Sequence, residues 1–383
     1  MEKTFAFIGN WSMAKEPGPL GIATAAYDPQ TGGMELLEQR FPQIKAGAFC
    51  LDQARGILYC VNERPEVPGE TLGGQVFGLK IQPETGALEE LTVSPSFGPL
   101  PSDCALDSTG RYLIVSNHSG RNAITKTVQD VSGRYHLVRE YDETAVVLFP
   151  LDRQGRIGEP LDIARHMGCG LLPNQQSPHA HCVRLAPDTG LFIVCDKGND
   201  SMYSYRIDTE RGKLVCCDRI DCVPGSSPRY CVFHPTKPFL YYNCETKPLV
   251  GMVRYDRYGK LAPVTTVHCM DDPLVKGMQS DIRISPDGKA LYTLVRDNST
   301  IVVYALDAET GVPTPVQTVP CGSSRGGRWM TFSPDGRYLF LAACPDSQVW
   351  RFPVAPDGKL FPPSAAAQAP APSAIAFYTP GRA

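Results

Sequence analysis

The residues best suited to chemistry in this chain fall in a few short segments. QQSPHAHCV sets His179 and His181 two positions apart, so in an extended segment both imidazoles share one face. Paired imidazoles serve metal binding or acid and base work near neutral pH, and a structural pair satisfied by its neighbours is the plainer alternative. VPGSSPRYCVFHP delivers Arg229 from a turn into the start of a strand. A guanidinium there needs an acidic partner or an anionic ligand, because apolar packing cannot hide it unpaired. LYYNCET ends its strand on Glu245. Arg229 and Glu245 are therefore either a structural ion pair or two groups facing one ligand, with Arg229 holding Glu245 ionised as a base or orienting group. ALYTLVRD ends on Arg296 in the same way, and GSSRGGRWM supplies Arg325 and Arg328, the latter in the slot that Arg229 fills. Gathered on one axis, these groups would form a cationic pocket suited to a carboxylate or phosphate. His179, His181 and Glu245 also offer metal ligands, but their spacing matches no metal motif, and the expectation is no obligatory metal and no cofactor.

The elements that position these segments repeat. A turn phrase recurs as DPQTGG, PETGAL, DRQGRI, DTERGKL, DRYGKL, DAETGV and APDGKL, with marker glycines Gly32, Gly86, Gly155, Gly212, Gly259, Gly311 and Gly358 spaced 54, 69, 57, 47, 52 and 47 residues apart. Most are preceded by alternating apolar runs such as VFGLKI, MYSYRI and IVVYAL, a period of two that means strands. The Asp/Gly pair supplies the positive φ of a hairpin turn. A second phrase, including LDSTGRYLIVSN, APDTGLFIVCD, HPTKPFLYYN, SPDGKALYTLV and SPDGRYLFLAA, lies between the first and describes strand, tight turn, strand. Together they give a four-stranded unit repeated seven times, an all-β, seven-bladed β-propeller of antiparallel blades. The expectation is a single domain over residues 1–383. The strand near Phe5 to Phe7 should complete the last blade beside Ile375 to Tyr378. Two irregular stretches in the region 118–178 are expected to form an inserted loop that lies as a lid over the binding face, or else a peripheral excursion or oligomer contact.

Composition bounds what such a ring does. Among 383 residues, 37 Lys+Arg against 40 Asp+Glu give a net charge of −3, so no global field exists for nucleic acid or an anionic membrane. With 42% hydrophobic and 20% charged residues, the chain has a core and is not disordered. The 35 glycines and 35 prolines fit frequent turns. MEKTFAFIG reads as a strand rather than a signal peptide, and no apolar run approaches the roughly 20 residues of a membrane span. The 14 cysteines, none in CxxC spacing, read as small buried hydrophobes in a reducing cytoplasm. Oligomeric state leaves no mark on the sequence.

PHAHCV, DKGND, GSSPRYCVFHP, YNCE, SDIRISPDGKALYTLVRD and GGRWMTFSPDGRYL resemble the seven-bladed lactonase family that includes bacterial 6-phosphogluconolactonase and fungal carboxy-cis,cis-muconate cyclase. The likeness is strongest from Ser177 to Phe352 and stays in register from Phe5 to Asn117, including YCVNE at Tyr59. It implies a cytoplasmic propeller with no required metal and a site in the central cleft. By motif match the family's histidine falls on His181 or His179, its arginines on Arg229 and Arg296, and its glutamate on Glu245. Arg328, Arg325, Asp281, Tyr230, Glu63 and His118 are the candidate substrate-binding residues. The chain departs from the family pattern at Tyr230, usually histidine, at Ser227, usually glycine, at Asp281, which stands for the acidic residue of the AEI segment, at the LVR strand end, usually SNR, and at Gly327, usually proline. The expected reaction is opening or forming a lactone on a small anionic cyclic substrate. Alternatives are a cycloisomerase acting on an unsaturated dicarboxylate, or a non-catalytic binding propeller.

Overall fold

Each repeat of the alternating pattern becomes an antiparallel sheet of four strands, and seven such sheets form a ring. The structure, a computed structural model, describes residues 3–12, 20–67, 69–118, 123–142, 144–269 and 277–381. Blade 2 shows the plan, with Ala46–Asp52, Ile57–Asn62, Gln75–Ile81 and Leu88–Pro95 in order from the channel outward. Blades 4 to 7 repeat it from innermost strands Ala180–Leu185, Pro228–Phe233, Gln279–Ile284 and Trp329–Phe332. In blade 1 the C-terminal strand Pro372–Tyr378 is innermost and pairs with Thr4–Asn10, Phe5 opposite Tyr378 and Ile8 opposite Ile375. The expected pairing is present, but the closing blade takes three strands from the N-terminus and one from the C-terminus.

Blade 3 corrects the sequence reading of region 118–178 as irregular. Ala145–Pro150 and Asp162–Ala164 are its third and fourth strands, and Ala123–Gln129 with Tyr135–Tyr141 form a separate two-stranded ribbon inserted before them. The ribbon escaped detection because its first strand is exposed on both faces, so no apolar alternation marks it. The ribbon's strands pair with each other and with no blade.

The marker glycines do two jobs. All seven adopt φ between 64° and 94°, a conformation that is strained for residues with a Cβ. They also press on the preceding blade: a Cβ on Gly155 would come within 2.3 Å of Ile57, and one on Gly86 within 2.4 Å of the Phe5 ring. A tyrosine of the preceding blade's second strand latches onto the marker carbonyl, Tyr59 to Gly155 at 2.6 Å, Tyr241 to Gly311 at 2.7 Å and Tyr292 to Gly358 at 2.6 Å. These tyrosines are fully buried, where an unpaired hydroxyl would be costly, so the bond fixes how neighbouring blades stack.

Because the innermost strands all run the same way, their starts and the ends of the second strands gather at one mouth of the channel. Their own ends gather at the other.

Candidate active site

The repeat places one residue of each blade directly after its second strand, at the upper mouth: Trp11, Glu63, His118, Lys197, Glu245, Arg296 and Cys344. Glu245 is the hub. Its Oε2 receives Lys197 Nζ at 2.7 Å and Arg229 Nε at 3.2 Å, and Arg296 Nη2 lies 3.5 Å from Oε1. Burial alone would raise the Glu245 carboxyl, but Lys197, Arg229 and Arg296 outweigh it and hold the group well below the usual carboxylate range. Burial and the neighbouring Arg229 push Arg296 down to about 10. Arg229, the second residue of its strand, also donates Nη1 to the Ser280 carbonyl. A second pair joins distant blades, Arg328 Nη2 to Glu63 Oε2 at 2.9 Å, with the Arg328 guanidinium 3.7 Å from the Trp11 ring centre. Four cations thus share two carboxylates, so the mouth carries surplus positive charge.

The histidines stand beside this cluster. His181 is 5% exposed, its ring edge-on to Tyr230 at 5.0 Å and to His118 at 5.4 Å. His118 Nε2 meets His179 Nδ1 at 3.4 Å. Burial first, then Arg229 and Lys197, lower the His181 imidazole well below its ordinary value, and burial with Lys197 does the same to His118. Both rings are thereby held neutral at pH 7, and His181 Nδ1 is buried without a hydrogen-bond partner.

The turn Asp196–Asp200 supports both halves of the site. Asp196 Oδ1 receives the backbone N–H groups of His179 at 2.6 Å, Gly198 at 3.0 Å and Asn199 at 3.3 Å. Its Oδ2 meets His166 Nδ1 at 2.6 Å, and His166 Nε2 reaches the Tyr205 hydroxyl at 2.9 Å while its ring stacks on Tyr203 at 3.7 Å. Asp200 accepts the N–H groups of Gly225 at 2.6 Å and Ser227 at 2.8 Å, which shapes the turn that presents Arg229. Ser227 takes φ 54°, the left-handed conformation that glycine adopts freely, at a cost of about 1 kcal/mol. Its carbonyl accepts the Glu245 N–H at 2.8 Å, so the strained residue joins Arg229 to Glu245.

The structure thus brings together His179, His181, His118, Arg229, Glu245 and Arg296, with Arg328 and Glu63 paired at the same mouth. Of the other expected substrate-binding residues, two sit elsewhere and one lies buried beneath the site. Arg325 is exposed on the turn before blade 7, with its charge beside Asp346. Asp281 is fully buried, with Oδ1 on Arg283 and Ile282 N at 2.9 Å each and Oδ2 on Met330 N at 2.5 Å, so no oxygen is left for a ligand. Its place in the strand was legible, but the face it takes was not. Tyr230 is 2% exposed and forms the floor beneath His181. The residues that sequence reasoning missed are Lys197, Trp11, Asp196, Asp200 and His166. Lys197 and Trp11 carried a signal, because they hold the same repeat position as Glu245 and Arg296.

One group among the described residues has three ligand atoms close enough to hold a metal, Cys182, Cys195 and Cys231, mutually within 4.8 Å and wholly buried between blades 4 and 5. The three lie on the same strands as His181, Asp196 and Arg229. Among the described residues no helix is long and apolar enough to cross a membrane.

The model of the family described as "Lactonase, 7-bladed beta-propeller" matches residues 6–377. The chain belongs to this lactonase family. Its character is that of a lactonase-type enzyme. Similar proteins include the 6-phosphogluconolactonases of Bacillus subtilis, 24% identical over 70% of this chain and 69% of the relative, and of Formosa agariphila, 22% identical over 88% of each. The periplasmic gluconolactonase PpgL of Pseudomonas aeruginosa has the same fold, with a TM-score of 0.84 at 22% identity, covering 98% of this lactonase-family chain and 99% of that one.

Proposed function

We propose that the upper mouth hydrolyses the lactone ring of a small anionic sugar acid, as the names of the 6-phosphogluconolactonase relatives point to. The observation that carries this reading is the juxtaposition of neutral imidazoles with a cluster of cations around one ionised glutamate. His181 is the base: it takes a proton from water as the water oxygen attacks the lactone carbonyl. Negative charge then develops on the carbonyl oxygen, and Arg229 and Arg296 are the donors placed to stabilise it. When the carbon to ring-oxygen bond breaks, the imidazolium returns its proton to the departing oxygen, so the proton balance closes. Glu245 is too strongly held as an anion to be the base, and its role is to keep three cations aligned. The surplus charge at Arg328 and its neighbours favours a substrate bearing its own phosphate or carboxylate.

Hydrolysis also fits the state of the histidines better than cycloisomerisation, which needs an acid ready to protonate a carbon. The cysteines support a reducing compartment and a cytoplasmic enzyme, since all fourteen are unpaired thiols. The test is a pH-stat assay with the δ-lactones of 6-phosphogluconate and gluconate. His181→Ala and Arg229→Ala should each lower kcat/KM by about 10²–10⁴-fold in protein that still melts cooperatively as a folded chain. Full activity in both variants overturns the assignment.

A further inference from the structure

The lower mouth holds a cavity of about 1110 Å³ to which no residue of the upper cluster contributes. That volume suits a small organic molecule. Its walls are mostly apolar, with Phe49, Val232, Phe233 and Trp329 prominent, and Arg184 and Arg283 lie among them. Each of these arginines is fixed from beneath. Arg184 pairs with Asp103, and Arg283 Nη1 meets Asp281 Oδ1 at 2.9 Å. Both aspartates are fully buried and absent from the cavity wall. Asp103 also accepts Val183 N at 3.1 Å and Asp281 accepts Met330 N, so the carboxylates are tied to the strands and cannot swing out. The guanidinium side chains keep 20% and 14% of their exposure, and Arg283 lies 4.5 Å from the Trp329 ring centre. Arg55, Arg184 and Arg283 on the wall face only Asp52 and Asp107 as carboxylates, and Asp52 is already paired with Arg55 at 2.5 Å.

We propose that the lower mouth is a second ligand site, taking a small organic anion with an apolar ring and a single carboxylate or sulfonate. Arg283 Nε and Nη1 and Arg184 Nη1 are already taken by strand carbonyls and the aspartates, so Arg283 Nη2 and Arg184 Nε and Nη2 hold the acid group, and Trp329 and Phe233 cover the ring. A single acid group is the match: each arginine already has its own aspartate, so what the wall offers is a few directed N–H donors rather than net positive charge, and a multiply charged ligand would find nothing to balance it. A sugar phosphate, polar over its whole surface, would leave the aromatic walls without a partner.

The probe is 1-anilinonaphthalene-8-sulfonate, an apolar aromatic ring system with one sulfonate, titrated by fluorescence against the full chain. Saturable binding at one site is expected, with benzoate competing. Arg283→Gln should weaken it about tenfold. Since removing that charge strands Asp281 and can cost stability, Ala54→Trp is the second variant: Ala54 lines the cavity at an exposed position, and a tryptophan there should block the probe while lactone turnover stays unchanged. 6-Phosphogluconate at saturating concentration should leave the probe in place. No saturable binding, equal affinity in both variants, or displacement by 6-phosphogluconate would each overturn the proposal, whichever way the lactonase assay falls.

Discussion

The two mouths of the channel use the same residue types in opposite arrangements. At the lower mouth each arginine has its own buried aspartate, Arg184 with Asp103 and Arg283 with Asp281, and both carboxylates are covered. At the upper mouth one carboxylate serves three cations, with Lys197, Arg229 and Arg296 all converging on Glu245. One-to-one pairing cancels charge and fixes geometry. Sharing leaves positive charge uncancelled, and uncancelled charge in a partly dry site strengthens attraction for an anion or a developing oxyanion.

The comparison can be broken most directly at Arg229. Arg229→Ala should lower kcat/KM by about 10³-fold, whereas Asp103→Asn, which acts on a paired arginine at the other mouth, should leave turnover intact; equal losses in a lactone assay would erase the distinction. Next comes stability. Removing the shared carboxylate or a one-to-one carboxylate leaves buried cations unbalanced, and Glu245→Gln and Asp103→Asn should each cost roughly 3 kcal/mol in urea unfolding. Because the folded Glu245 carboxyl is depressed, its contribution is present above the unfolded value near pH 4.3 and is lost as the pH falls below it; Glu245→Gln should flatten the acid side of the stability curve.

A smaller effect is expected at Lys197. The His181 and His118 rings are lowered by burial and by the neighbouring cations, so kcat/KM should hold down to a pH below the ordinary histidine value of about 6.5 and fall beneath it. Lys197→Met removes one of those cations, so the acid limb should move to higher pH. An unmoved limb would separate Lys197 from the titrating base. The smallest effect is that of salt. Between about 0.05 and 0.5 M ionic strength KM for an anionic lactone should rise, since exposed charges are screened within about 10 Å at 0.1 M, while the more apolar lower site responds less.

Much of this was legible from the repeat. Arg229 at a strand start and Glu245 and Arg296 at strand ends follow from register, because the place of a residue within a blade unit sets both its radius and its height on the ring axis. The same logic, carried through all seven units, also reaches Lys197 and Trp11, which lack the look of a motif. Asp281 shows the limit: the resemblance marks it as a substrate-binding residue, but side chains alternate across a strand, and only the packed blades show that it turns to Arg283 and the Met330 N–H rather than to the upper mouth. The ribbon Ala123–Gln129 with Tyr135–Tyr141 shows another, since a segment with no buried face has no period to read.

What the sequence determined by itself was the seven-fold ring, through the spacing of its glycine turns, and the height of the chemical groups on that ring. Only the tertiary structure decided who meets whom. Arg328 and Glu63 are 265 residues apart, and His118 reaches His179 across a blade boundary. Such contacts arise from closing the ring, which joins every strand end at one mouth regardless of its distance along the chain. The identity of a carboxylate's partners, and hence whether a mouth is neutral or charged, depends on that closure.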